Sequence, residues 1–264
     1  MEGILYPDSG AGFEDASVLR NAVYFSTAER AYSAELVLTR PLNVNQQTLD
    51  FLVVRAFEEF MTSTEDLTGW LFTLQEWQPG NARYSLFILL DKIQVGKGKY
   101  EENNAVSLLS MLDTEGFRKL FHVPKDEELI ASGMSHELVD KIKGSIPSKL
   151  DGWLKIAKKR AEQDRGMVGM FNKVKHHMLA FPTRERGKNE VLIPYNIDMD
   201  KEEPAIHLGR GWLESSTSQI RRFAGDAVVA QAVLHDTLAL ILMTRYGEKY
   251  SSPSWVSRAY ETYF

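Results

Sequence analysis

The residues of this sequence with the richest chemistry lie close together near its middle. Asn172, Lys173, Lys175 and His176 bring an amide, two ammonium groups and an imidazole together, and Arg165 precedes them. On a helix, residues three and four apart share a face, so Asn172 lies beside Lys175 and His176. Ammonium groups hold phosphate oxygens, and an imidazole is an acid, a base or a hydrogen-bond donor near neutral pH. We therefore predict a ligand-binding site formed by these five residues.

A structural role is the simpler interpretation of the same cluster. Asn172 and His176 would then bond to backbone groups at the end of a helix, and the lysines would be solvated. Runs of surface charge usually contribute little to stability or chemistry, which favours this interpretation.

The charge distribution supports an anion-facing surface. The net charge of the chain is -5, but residues 155–188 contain ten Lys or Arg against three acidic residues, a net charge of +7. The rest of the chain therefore carries -12. Such an asymmetry is typical of proteins that bind an anionic partner through one region.

Other kinds of active site are disfavoured by composition and spacing. The chain has no cysteine, which excludes disulfides, thiolate nucleophiles and cysteine-bound metals. His235-Asp236 resembles a metal-binding dyad, but no aspartate follows position 236, so we predict a polar pair bonded inside the core. Glu58 and Glu65 share a helix face and are predicted to be solvated surface acids. No metal and no cofactor are predicted.

Apolar residues at helical spacing predict several helices. One helix contains an apolar face formed by Val18, Ala22, Phe25, Tyr32 and Leu36. Long helices are predicted from Asn45 to Pro79-Gly80, from Ser148 to about Leu179, and from Ser216–Ser218 to Gly247. Short helices fill residues 104–143, one of them capped by Ser135.

The fold class that follows is all-α, a multi-helix bundle with a small inserted β hairpin near 190–209. The hairpin strands are expected at Glu190–Asn196 and Pro204–Gly209, where β-type runs flank an acidic turn. We divide the chain into a flexible N-terminal arm (1–16), a single helical domain (17–250) and an aromatic C-terminal tail (251–264).

Neither a secretion signal nor a membrane span is predicted. The N-terminus lacks a basic segment followed by an apolar one. The longest apolar run, Ala227–Met243, is interrupted by Gln231, His235 and Asp236 and is shorter than the roughly 18 to 20 apolar residues that a span needs. We interpret it as a core helix and expect a cytoplasmic protein.

The order of elements and the segment Phe171-Asn-Lys-Val-Lys-His176 resemble bacterial helical proteins related to the HEPN superfamily (higher eukaryotes and prokaryotes nucleotide-binding). The resemblance covers roughly Asn45 to Tyr246. It implies a helical bundle, often dimeric, whose members include ribonucleases and RNA-binding components of defence and toxin-antitoxin systems. The superfamily's catalytic signature, an Arg followed after four to six residues by His, is absent. Arg118 and His122 have only three residues between them.

We therefore expect an RNA- or nucleotide-binding protein of the HEPN-like kind that is catalytically weak or inactive. The resemblance, together with the apolar stripes and aromatic tail, also predicts a homodimer. The alternative function is a protein-interaction or scaffold module, in which the apolar helices and the tail bind a partner protein.

Overall fold

In a computed structural model, the described residues are all except 1–9, 96–101, 164–180, 186–187, 199–204, 213–214 and 264. Side chains are described for residues 15–92, 104–163 and 215–263. The elements are α1 (Gly10–Asn21), a π-helical turn (Ala22–Ser26), α2 (Thr27–Leu38), α3 (Gln46–Glu76), a 3₁₀ turn (Ala82–Tyr84), α4 (Leu86–Val95), α5 (Glu102–Ser110), α6 (Thr114–Leu120), α7 (Asp126–Ala131), α8 (His136–Ala161), β1 (Phe181–Glu185), β2 (Lys188–Asp198), β3 (Ala205–Trp212), α9 (Thr217–Tyr246) and α10 (Ser254–Tyr263).

Helix α9 is the centre of an all-α core. It packs against α2, α3, α8 and α10, and it contributes to both hydrophobic clusters of the described residues. One cluster is built around Trp77, Phe121 and Trp153, and the other around Phe57 and Phe223. Helix α9 is long and apolar enough to cross a membrane by length and composition, but 89% of its most apolar stretch is buried inside the protein. Such burial is typical of a core helix.

The predicted limits of two long helices are confirmed, because capping side chains set them. Asn45 accepts a hydrogen bond from the Thr48 N–H at 2.9 Å at the start of α3. Ser216 accepts one from the Gln219 N–H at 3.3 Å at the start of α9. Gly247 ends α9 with φ +67°, a left-handed conformation that glycine adopts without a Cβ clash.

Helix α8 differs from the prediction. The helix capped by Ser135 and the one expected from Ser148 are a single helix, which runs through Pro147. A proline in a helix interior removes one hydrogen bond, but the buried face of α8 continues on both sides of it, through Ile146 and Trp153. Burial of that face outweighs the local break. The helix ends at Ala161, and the part predicted beyond residue 163 lies outside the described residues until β1.

The predicted apolar face of the first helices is confirmed at Val18 and Ala22, which pack on the core, and is wrong for its other three residues. Phe25, Tyr32 and Leu36 are 68%, 62% and 45% exposed. The π-helical turn inserts about one residue and shifts the register, so α2 buries small side chains such as Ala31 and Ala34 instead. Small residues let α2 approach α9 closely, and the large side chains form an apolar stripe on the outside.

The backbone has three strands between α8 and α9. They pair antiparallel in the order β1-β2-β3, with Phe181 opposite Leu192 and Glu190 opposite Trp212. The two-stranded hairpin near 190–209 is not supported in that form, because β1 precedes it and was not predicted. The sheet is small, and the part of the chain with described side chains is helical.

The predicted aromatic tail contains a helix, α10, which packs on the protein itself. Val256 and Ala259 are buried in the second hydrophobic cluster. A Cβ built on Gly225 of α9 would lie 2.9 Å from the Tyr263 ring, so only glycine allows this close approach. At the other end of the chain, α1 begins at Gly10, within the segment predicted as an arm.

Candidate functional site

The predicted site residues Arg165, Asn172, Lys173, Lys175 and His176 lie outside the described residues. The structure therefore neither brings them together nor separates them. We call the positively charged residues 155–188 the basic window. Within this window, side chains are described only for residues 155–163.

The described part of the basic window joins α9 to form a basic surface. Lys159 of α8 donates a hydrogen bond to the Asp226 carboxylate of α9 and forms an ion pair with it. Arg222 and Lys155 lie close enough to favour the charged form of Asp226. Burial nevertheless raises the pKa of Asp226, because desolvation is the larger effect. We name the set Lys155, Lys158, Lys159, Arg221 and Arg222 the α8–α9 basic surface.

Arg160 belongs to the interior, unlike its neighbours in the basic window. It is 3% exposed, and its Nη1 lies 3.1 Å from Met61 Sδ. This arginine therefore helps to pack α8 against α3, and a ligand on the surface would not reach it.

A second basic region is a cleft of about 490 Å³ between α6, α7 and the end of α9. We name it the His122 cleft. Its charged lining residues are Glu115, Arg118, Lys119, His122, Lys125, Glu128 and Arg245. Cations outnumber acids in this lining, so the cleft favours an anion.

His122 occupies an uncommon backbone position in the cleft. It follows α6 with φ +53°, in the left-handed region. Its N–H bonds to the Lys119 carbonyl, and the Val123 N–H bonds to the Arg118 carbonyl at 2.9 Å. This is the Schellman arrangement of helix ends, in which glycine is the usual residue. Histidine is among the residues that tolerate this region, at some cost in backbone energy.

Three neighbouring residues fix the ring and the backbone of His122. Nε2 donates to the Leu74 carbonyl oxygen at 2.7 Å, and the ring packs edge-on against Trp77 with centroids 4.7 Å apart. Arg245 donates from Nε to the His122 carbonyl at 2.6 Å. Burial lowers the pKa of His122, and the Arg245 charge lowers it further despite the bond to Leu74. The neutral form therefore prevails at pH 7, with the proton on Nε2.

Arg118 builds the floor of the cleft. It is 5% exposed and donates to the Pro124 carbonyl at 2.8 Å and to the Asp126 carboxylate. The Arg118 and Lys143 charges lower the pKa of Asp126, against the opposing effect of desolvation. The Arg118–Asp126 pair fixes the turn between α6 and α7, which sets the position of His122.

The predicted polar pair at His235-Asp236 is bonded to two different sets of residues. His235 is 1% exposed, and its Nδ1 lies 3.0 Å from the Thr27 hydroxyl. Asp236 forms an ion pair with Lys149 at 3.4 Å and accepts from Tyr250 at 3.5 Å. No group of three metal-ligating side chains occurs among the described residues. His235 thus joins α9 to the start of α2, and Asp236 joins it to α8.

Three acidic residues of α3 have cationic partners. Arg55 bonds to Glu58 at 2.5 Å and to Glu59 at 2.8 Å, and Arg30 pairs with Asp66 at 3.4 Å. Glu58 and the buried Glu59 share one cationic partner, Arg55, so Glu58 is an ion-paired residue and not a fully solvated acid.

Sequence reasoning missed the His122 cleft. Arg118 and His122 were compared only with the nuclease spacing, which they do not match. The available signal was a histidine directly after a short amphipathic helix and before Val123-Pro124, a position where glycine or asparagine is usual.

Comparison with known proteins adds no relative: no family model, curated protein or solved structure matches this chain.

Proposed function

We propose that the protein binds RNA or a nucleotide through the α8–α9 basic surface, with weak or no catalytic activity. The observation that carries the proposal is the convergence of Lys155, Lys159 and Arg222 on the single buried carboxylate of Asp226. Positive charge gathered on one surface favours an anion, and phosphate is the anion that lysines and arginines hold best.

The predicted cluster from Arg165 to His176 follows α8 in the chain and adds to the positive charge of this part of the sequence. The HEPN-like resemblance, which predicts RNA or nucleotide as the ligand, supports the same conclusion. A two-fold homodimer, as that resemblance implies, would double the basic surface and strengthen RNA binding through multivalency.

Salt dependence tests the proposal directly. Each phosphate neutralised on a single strand adds about 0.7 to the slope of log K against log salt. The triple variant Lys155→Gln, Lys158→Gln and Arg222→Gln leaves the Lys159–Asp226 pair intact. We expect it to reduce the slope by about 2 for a single-stranded RNA oligonucleotide, measured by fluorescence anisotropy.

A matched control has the same change of net charge elsewhere. Lys92, Lys141 and Lys249 are exposed and lie outside the α8–α9 basic surface. Their triple replacement by Gln should leave the slope within about 0.5 of the unmodified protein. Equal losses in the two variants, or no RNA or nucleotide binding at low salt, would contradict the proposal.

A scaffold function is the second candidate, and the exposed apolar residues of the π-helical turn and α2 favour it. Phe25, Tyr32 and Leu36 are exposed, and exposed apolar patches on soluble proteins commonly mark interaction surfaces. In that case Phe25→Ser with Tyr32→Ser should shift the protein to a smaller assembly in light scattering without lowering its thermal stability. An unchanged mass would count against the scaffold function.

A further inference from the structure

The His122 cleft has a defined charge balance. With Arg118 paired to Asp126, the remaining cations are Lys119, Lys125 and Arg245, which face Glu115 and Glu128. The carboxylate of Glu128 accepts a hydrogen bond from the Lys125 backbone N–H at 3.0 Å and caps α7. The cleft therefore has a net charge of +1 while His122 is neutral, and +2 when His122 is protonated.

The donors come from separate elements and point to one type of ligand. Nε2 of His122 is committed to Leu74, so Nδ1 is the ring nitrogen that can bond to a ligand. Nε of Arg245 is committed to the His122 carbonyl, and the described residues supply no acceptor for its Nη groups. A guanidinium fork matches two phosphate oxygens, and the Lys119 and Lys125 ammonium groups add point charges.

We propose that the His122 cleft binds a phosphomonoester dianion of mononucleotide or sugar-phosphate size, at a site separate from the α8–α9 basic surface. Arg245, Lys119 and Lys125 hold the phosphate, and His122 takes up a proton and donates it as a hydrogen bond from Nδ1. The volume of about 490 Å³ lies within the range of small-molecule sites. The +2 charge reached on protonation matches a phosphomonoester, which carries about -1.5 to -2 at pH 7.

The backbone at His122 gives an independent reason to expect a role for the ring. Glycine would end α6 there without strain, whereas histidine accepts an unfavourable φ. The strained position places the imidazole against Trp77 and beside Arg245. Leu74, Trp77 and Arg245 belong to the core helices or follow them directly, so the ring is positioned before any ligand arrives.

The test uses the purified full-length protein with inorganic phosphate and AMP as probes and adenosine as the uncharged control. Isothermal titration calorimetry should give one saturable site for both probes and none for adenosine. The double variant Lys119→Gln with Lys125→Gln should bind at least about tenfold more weakly, a loss of about 1.4 kcal/mol. The exposed pair Lys92→Gln with Lys141→Gln is the matched control and should bind as the unmodified protein does.

Proton uptake separates this site from a general attraction of anions. Calorimetry with AMP in buffers of different ionisation enthalpy, at about pH 8 where its phosphate is already a dianion, should show proton uptake on binding. His122→Asn, which tolerates the left-handed backbone, should abolish that uptake. The α8–α9 triple variant should keep phosphate binding intact, so failure of one proposal is distinguishable from failure of the other. Absence of saturable binding at about 10 mM phosphate, or unchanged affinity in Lys119→Gln with Lys125→Gln, would overturn the proposal.

Discussion

The hydroxyl of Thr27 is the point at which the π-helical turn is joined to the core, and its removal is a sensitive test of the fold. Thr27 is 2% exposed, and its Oγ1 lies 3.1 Å from the Ala22 carbonyl and 3.2 Å from the Val23 carbonyl. The same oxygen lies 3.0 Å from Nδ1 of His235. Thr27→Val keeps the side-chain shape and removes all three contacts.

The expected loss of stability depends on the buried polar groups that lose a hydrogen-bond partner in Thr27→Val. A buried polar group that loses its partner costs about 1–3 kcal/mol. Nε2 of His235 already has no hydrogen-bond partner in the described residues, so loss of Thr27 would leave the Val23 carbonyl as the remaining partner of the buried ring. For a chain of this size about 1 kcal/mol corresponds to about 2–4 °C in Tm. We expect Thr27→Val to lower Tm by about 2–12 °C.

Thr73→Val is the matched control. Thr73 is 0% exposed, and its hydroxyl donates only to the Gly69 carbonyl at 2.8 Å. Inside α3 that carbonyl also accepts the ordinary helix bond, so little is left unsatisfied. The control substitution should therefore cost about 0.5–1.5 kcal/mol, the contribution of one such bond, and less than Thr27→Val does.

A double-mutant cycle with His235→Leu assigns the cause. Thermal unfolding is followed by circular dichroism for Thr27→Val, His235→Leu and the double variant. In the His235→Leu background, Thr27→Val should cost no more than Thr73→Val does, because no imidazole is left to satisfy. A loss for Thr27→Val equal to that of Thr73→Val, or a loss unchanged by His235→Leu, would refute the reasoning.

Two further predictions concern acid and the C-terminal helix. Burial is the largest cause that lowers the pKa of both His122 and His235. The folded state therefore binds fewer protons than the unfolded state, and its stability falls as the pH drops from about 6.5 towards the lower pKa values of the folded state. Tm should decrease between about pH 7 and 5, and less so in His235→Leu. Val256 is 1% exposed on α10, so Val256→Asp should lower Tm by at least about 6 °C, at about 2–4 °C for each of about 3 kcal/mol. A stable protein with only a changed mass in light scattering would instead place α10 at an interface between copies.

The sequence predicted the long helices well where local chemistry defines them. Asn45, Ser216 and Gly247 cap or end helices through bonds to residues a few positions away. Such interactions are complete within a short window, and apolar residues at helical spacing identify the buried face of α3 and α9.

Two features of the fold depend on contacts that no short window contains. The π-helical turn is joined to His235, which is 208 residues from Thr27, so its effect on the register of α2 is invisible in the local pattern. Pro147 is tolerated inside α8 because the buried face on either side of it packs on the core. In each case tertiary packing outweighs local preference.

The distinction between local and long-range contacts also explains which candidate sites the sequence predicts. A search for chemistry in sequence finds residues that share one helical turn, as Asn172 and His176 would, and these lie outside the described residues. The His122 cleft is assembled from residues 115–128 and Arg245, with Leu74 of α3 behind the His122 ring, which are three separate segments of the chain. Arg245 is 123 residues from His122 and Leu74 is 48 residues from it. Each lining residue alone is an ordinary surface or helix-end residue, and their common chemistry arises only when α9 brings Arg245 beside the end of α6. Replacement of Lys119 and Lys125 therefore tests a property of the assembled fold, whereas replacement of residues on the α8–α9 basic surface tests a property already visible in the charge of the sequence.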